Sequence, residues 1–240
     1  MHFSAVTLRH GRCCAALRVP VPPFDEQFTT PSRALLRCAA RARATPRGSG
    51  HFVVTRCMSN RPWSTFGDAD QIRQYNPLTR VPTLVLDDGS VLNDSYSIID
   101  YIDTITPEDR LLMPRTQPQR HQVMSVVSLA TGLADKVVAL FYEIRLHDAP
   151  SEAWMVRCRA QIGHTLAALE ADRSRRAGEF WFGDSITHAD IAVACAMQHL
   201  AVSHPDIEAA RVSPALDAHC ARMEALSVFK EIYQPFIPPA

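Results

Sequence analysis

The stretch that most constrains this chain runs from Arg80 to Ile102. It reads as strand, tight turn, strand, helix. Thr83–Leu86 is a short apolar run suited to a buried strand. Asp87, Asp88, Gly89 and Ser90 are turn residues, with Gly89 free to take a positive φ. Val91 and Leu92 form a return strand. Asn93 or Asp94 can accept from the free amides of a helix start, and Ile98, Ile99 and Ile102 then fall on one apolar stripe. Packing alone does not account for two features of this stretch. Pro82 stands at a strand head, where it cannot donate to a ladder and where a cis bond is tolerated. Asp94-Ser95 stands at a helix N-terminus, where backbone amides and the dipole attract an anion. The plain alternative is a hairpin followed by a capped helix.

A second motif runs from Gly183 to Cys195. Thr187 can cap the amide of Asp190 while Asp190 reaches back to the Thr187 amide, a capping box. Ile186 and Ile191 suit a hydrophobic staple, and Ala189, Ala192, Val193 and Ala196 are small enough for a deeply packed helix. By itself this is a folding motif. Together, Val81-Pro82, Asp94-Ser95 and the Gly-x-Ser-x-Thr-x-Ala-Asp pattern at 183–190 resemble the glutathione transferase superfamily. The resemblance covers residues 51–233 well and residues 24–50 poorly.

That resemblance implies a fold class: an α/β thioredoxin-like N-terminal domain (βαβαββα) followed by an all-α helical bundle. The expected organisation is an extension or unstructured segment over 1–23, a glutathione-binding domain over 24–105, a linker over 106–117 and a helical domain over 118–240. Within 24–105 the sequence places a weak strand at Phe24–Phe28 and a helix at Pro31–Ala44. A buried strand at His51–Arg56 and a short helix near Asp68–Gln74 follow. Pro107 and Pro114 mark the linker. Long helices are expected from Pro118 to about Arg145 and from Pro150-Ser151 to about Arg175. A third begins at Ser213-Pro214.

The same resemblance implies a function: binding glutathione and transferring its thiol to an electrophilic or peroxide substrate, as in detoxification. Val81 would offer backbone N–H and C=O to the cysteinyl part, with Pro82 holding that edge open. Ser95 would take the γ-glutamyl carboxylate, and Asp94 would meet the α-amino group. The family activates the thiol from a Ser, Cys or Tyr behind the first strand. No Tyr precedes Tyr75, so Ser32 and Thr30 are the candidate catalytic hydroxyls, each also readable as a helix-start residue. The alternative is a non-catalytic, transferase-like protein that binds partners. Glutathione is the implied co-substrate, an electrophile the second substrate, and a homodimer the implied assembly. A thioredoxin-type oxidoreductase would need a Cys-x-x-Cys pair, which is lacking.

Composition sets the outer limits. The 240 residues are 47% hydrophobic and 21% charged with zero net charge. That is globular, and it gives no electrostatic reason to expect nucleic acid or an anionic membrane surface. No apolar run is read as reaching the length of a membrane span. The seven Cys lack zinc and redox spacing, so no metal is expected, and reduced thiols in a cytoplasmic setting are. Arg9, Arg12 and Arg18 with no acid before residue 25 leave mitochondrial targeting by residues 1–24 as an alternative location. Cys38, Trp154, Trp181 and Phe180 are expected to pack in the core, and His188 to be surface or packing.

Overall fold

A computed structural model describes residues 3–8, 58–63, 65, 67–86, 88–233 and 236. The chain divides into two compact units, Met1–Ile105 with Gln234–Ala240, and Thr106–Tyr233.

The first unit is built on a four-stranded sheet in the order β2-β1-β3-β4. The strands are β1 (Phe3–Leu8), β2 (Met58–Trp63), β3 (Thr83–Val85) and β4 (Val91–Asn93). β1 runs antiparallel to β2, pairing Phe3 with Trp63 and Leu8 with Met58. It runs parallel to β3, pairing Ala5 with Thr83. β3 and β4 are antiparallel, with Thr83 opposite Asn93. The extension expected over 1–23 is therefore corrected: residues 3–8 supply a strand at the middle of the sheet. Val6 and Thr7 are β-branched, and the arginines that suggested an extension all lie beyond Leu8. The strands expected at 24–28 and 51–56, the helix at 31–44 and Cys38 lie outside the described residues.

The expected 83–102 arrangement forms almost residue for residue. Leu86 N–H donates to Ser90 C=O at 2.9 Å, Gly89 takes φ 85°, and Ser90 donates from both N–H and hydroxyl to the Asp88 carboxylate. The Ser90 hydroxyl is the main reason the Asp88 carboxyl is held below its ordinary value. Helix α1 (Ala69–Arg73) precedes β3, and helix α2 (Ser95–Thr104) follows β4. Ile98, Ile99 and Ile102 are buried, as is Leu84 of β3. This is the helix-on-sheet layer of a thioredoxin-like domain.

The second unit is helical: α3 (Gln119–Leu146), α4 (Glu152–Ser174), α5 (His188–Ser203), α6 (Pro205–Ala210), α7 (Pro214–Ala225) and α8 (Ser227–Ile232). By length and apolar composition α3 could cross a membrane, contrary to the sequence reading. Its apolar stripe, including Val123, Val127, Ala130, Leu133, Val137 and Leu140, is buried, and the helix packs on α4 and α5, as a core helix does. The expected linker is also corrected in part. Leu112 and Met113 are buried, and Leu112 C=O accepts from His188 N–H at 3.0 Å, so the segment is built into this unit.

At the centre lies α5, whose small residues allow close packing on both sides. Its capping box forms, and Asp190 does more than close it. This fully buried carboxylate accepts from Thr187 N–H (2.8 Å), Thr187 hydroxyl (2.7 Å) and Trp181 N–H (2.6 Å). His219 of α7 lies beside it, with Nδ1 at 4.0 Å from the carboxylate and Nε2 at 3.3 Å from Asp190 C=O. The loop before the box is fastened by Arg173, which donates to the carbonyls of Arg176, Gly178 and Glu179. Gly178 lies so near Gly183 that a Cβ there would sit 2.7 Å from a carbonyl oxygen. Trp181 is buried and donates from Nε1 to Asp172. His188 is buried and Phe180 half-buried, but Trp154 is exposed, with Lys136 Nζ 5.6 Å from its ring. Aromatic size favours burial only where a facing helix covers the position.

Replacing Asp190 with Ala strands three donors inside the unit, and we expect a loss of about 3 kcal/mol, read as a lower denaturant midpoint. Gly178→Ala should also destabilise, since backbone rather than a movable side chain stands in the way. Acid should weaken the fold through its histidines. Burial is the first cause lowering the pKa of His199, to about 4, and of His204 and His219. Below pH 6.5 the unfolded chain takes up protons that these folded histidines refuse, so stability falls as pH falls from 6.5 toward 4. Thermal midpoints across that window should drop, and His199→Gln should flatten the drop.

Candidate functional site

The residues singled out at 81–82 and 94–95 belong to one corner of the first unit. The Val81–Pro82 peptide is cis. Pro82 is buried and Val81 half-buried. The two segments are joined directly: Asp94 N–H donates to Pro82 C=O at 3.3 Å. The strand head and the helix start therefore lie side by side, because β3 and β4 pair between them. Val81 makes no hydrogen bond through its own N–H or C=O among the described residues.

Asp94 takes φ 76° and ψ 141°, a region that non-glycine residues avoid. Three hydrogen bonds hold it there. Its N–H goes to Pro82, its C=O accepts from Ile98 N–H at 3.2 Å, and its carboxylate accepts from Tyr96 N–H at 2.7 Å. Conformations of this kind cost about 1–3 kcal/mol and persist where surroundings over-determine them, often at ligand sites. The Asp94 carboxylate is thus the helix cap, yet the residue remains exposed. Ser95 is the first residue of α2 and is 3% exposed, with no hydrogen bond from its N–H or hydroxyl among the described residues. A carboxylate placed there would meet an amide, a hydroxyl and the positive end of a ten-residue helix. Ser32 and Thr30 lie outside the described residues.

The sequence reading missed Asn76. It is 1% exposed and closes the loop from α1 to β3 with every polar atom of its side chain. Oδ1 accepts from Leu78 N–H at 3.0 Å. Nδ2 donates to Arg80 C=O at 2.9 Å and to Thr83 Oγ1 at 3.3 Å. The Thr83 hydroxyl also donates to Arg80 C=O, at 3.1 Å. The available signal was the Asn76-Pro77 pair, which marks a turn start but says nothing of contacts four and seven residues on. Among the described residues no group of His, Cys, Asp and Glu could hold a metal ion. The three described cysteines are free thiols, with Cys158 raised by burial and Cys220 pushed up to about 12, first of all by burial.

Comparison with known proteins bears on the family of the chain. Residues 51–105 match the family model of the glutathione S-transferase N-terminal domain, and residues 152–222 match that of the C-terminal domain. A GST-like protein of Escherichia coli, YibF, is 31% identical over 133 residues, 54% of this chain and 62% of that protein. A probable maleylacetoacetate isomerase of Drosophila melanogaster is 27% identical over 173 residues, 71% of this chain and 67% of that protein. The matches thus span about three-fifths to two-thirds of these relatives. A glutathione transferase family member from Pseudomonas fluorescens, solved with bound glutathione, superposes with a TM-score of 0.72 at 26% identity, covering 96% of this chain and 100% of that one. A glutathione S-transferase from Methylobacillus flagellatus, also with glutathione bound, gives 0.71 at 25% identity over 85% and 94%. With both domains matched in order, the chain belongs to the glutathione S-transferase superfamily.

Proposed function

We propose that this protein binds glutathione against Val81, Asp94 and Ser95 and turns its thiol on an electrophilic or peroxide substrate. The observation that carries the reading is the hydrogen bond from Asp94 N–H to Pro82 C=O. It sets a peptide edge that has no partner among the described residues beside amides that welcome a carboxylate. Glutathione needs both: a strand-like partner for its cysteinyl peptide and a counter-site for its γ-glutamyl carboxylate. The bound glutathione in the Pseudomonas and Methylobacillus neighbours supports the choice of ligand.

Catalysis then requires the thiol to lose its proton near neutral pH, since thiolate is the nucleophile. Ser32 or Thr30 remains the candidate donor to that thiolate. A hydroxyl aimed at sulfur stabilises the charge once formed and so lowers the pKa. Relatives named maleylacetoacetate isomerase favour one particular electrophile class. A thiolate that adds to an activated double bond, allows rotation and leaves again isomerises its substrate and is returned unchanged. Conjugation and isomerisation share the first step and differ in whether the carbon–sulfur bond is kept.

The reading is tested by titrating the full-length protein with glutathione in a calorimeter. Ser95→Ala should weaken binding about tenfold, the loss of one hydrogen bond to a charged group. Unchanged affinity would remove Ser95 from the site. Thiolate absorbance of the bound peptide, followed against pH, separates enzyme from binding protein. A thiol pKa below that of free glutathione is expected; the free value would favour the non-catalytic alternative.

A further inference from the structure

We infer that Asn76 is a positioning residue for glutathione, acting through the Arg80–Val81 peptide and touching no ligand itself. The inference rests on the glutathione reading above and adds to it the group that aims the Val81 amide. Peptide units are planar, and in a trans peptide the C=O of one residue and the N–H of the next point in opposite directions. Arg80 C=O and Val81 N–H share such a unit. Arg80 C=O is held by two donors, Asn76 Nδ2 at 2.9 Å and Thr83 Oγ1 at 3.1 Å. With the carbonyl fixed toward Asn76 and Thr83, Val81 N–H is fixed away from them. That is the donor left without a partner among the described residues.

The surroundings make this a rigid device. Asn76 is anchored by its own backbone, donating to Ile72 C=O at 2.8 Å and accepting from Thr79 N–H at 2.9 Å. Thr79 takes φ 54°, so the loop follows an unusual course that the side chain of Asn76 spans. An amide side chain supplies one acceptor and two donor hydrogens on a planar group. Here the acceptor takes Leu78 N–H, and the nitrogen serves both Arg80 and Thr83. Asn76→Asp would keep the shape and the acceptor but bring a carboxylate oxygen against Arg80 C=O. The peptide plane would then be free to turn, and an amide that must be aimed before binding would have to be ordered during it.

The test uses full-length protein labelled with ¹⁵N-valine, the Val81 resonance being identified by its loss in Val81→Leu. Glutathione should move the Val81 amide downfield in the wild type as a new hydrogen bond forms. Asn76→Asp should bind about tenfold more weakly and lose that shift, while Ser95→Ala weakens binding and keeps it. Thr83→Val, which removes the second donor to Arg80 C=O and one acceptor of Asn76 Nδ2 but leaves the Asn76–Arg80 bond, should give an intermediate loss of about threefold and a reduced shift. It decides the matter should Asn76→Asp not fold. A folded variant at either position with wild-type affinity, or with weaker binding and an undiminished Val81 shift, would overturn the inference and leave the glutathione reading standing. A wild type that does not bind glutathione would sink both.

Discussion

The hydrogen bond between Asp94 N–H and Pro82 C=O is the smallest element on which the corner of the first unit at 81–95 depends. Proline cannot donate, so Pro82, just ahead of β3, can be tied only through its carbonyl. Asp94 supplies the tie and in doing so is drawn to φ 76°. That same backbone turn directs the chain into α2, so that the helix begins beside the strand head. One interaction thus joins a conformational cost to a useful placement. Asp is among the few residues able to bear it, because its short carboxylate also caps Tyr96 N–H.

A comparable economy runs through the second unit, with a different purpose. Asp190 gathers two backbone amides and a hydroxyl from the loop and box that precede it, and His219 approaches from α7. A buried carboxylate is costly unless fully hydrogen-bonded, and this one is. Its effect is to fix how the loop from Gly178 to Thr187 enters α5, the helix against which α3 and α7 pack. Arg173 and the close approach of Gly178 to Gly183 hold the same loop from its other end. The polar network specifies a packing arrangement; nothing in it is exposed for chemistry.

How much of this was legible in the sequence follows from range. The hairpin at 83–93, the Asp94 cap and the isoleucine stripe of α2 depend on neighbours within about four residues, so residue type and spacing reveal them. The box at Thr187 and Asp190 is local in the same sense. The contacts of Trp181 and His219 with Asp190 are not, and neither is the strand at Phe3–Leu8, whose partners lie fifty or more residues away. There, local composition pointed to an extension because the following arginines outweighed a short β-branched run. Helix α6 went unread because six residues after His204 leave too short a period to detect. Trp154 shows the opposite failure: residue type suggested the core, but α4 presents that position to solvent beside Lys136.

Asn76 belongs to a further category, since its signal was present and its meaning was not. Asn-Pro announces a turn, and the turn is there. What the dipeptide could not convey is that the side chain reaches past the turn to a carbonyl whose peptide partner is Val81 N–H. A site made of main-chain atoms carries no side-chain signature at the point of contact. Its specificity has to be sought one layer back, in buried polar residues that set the orientation of a peptide plane. Asn76 and Thr83 meet that description, being almost wholly buried and fully hydrogen-bonded to the loop they shape. The informative positions around a backbone-built ligand edge are therefore the residues that hold its carbonyls inward, because each carbonyl held inward turns an amide out.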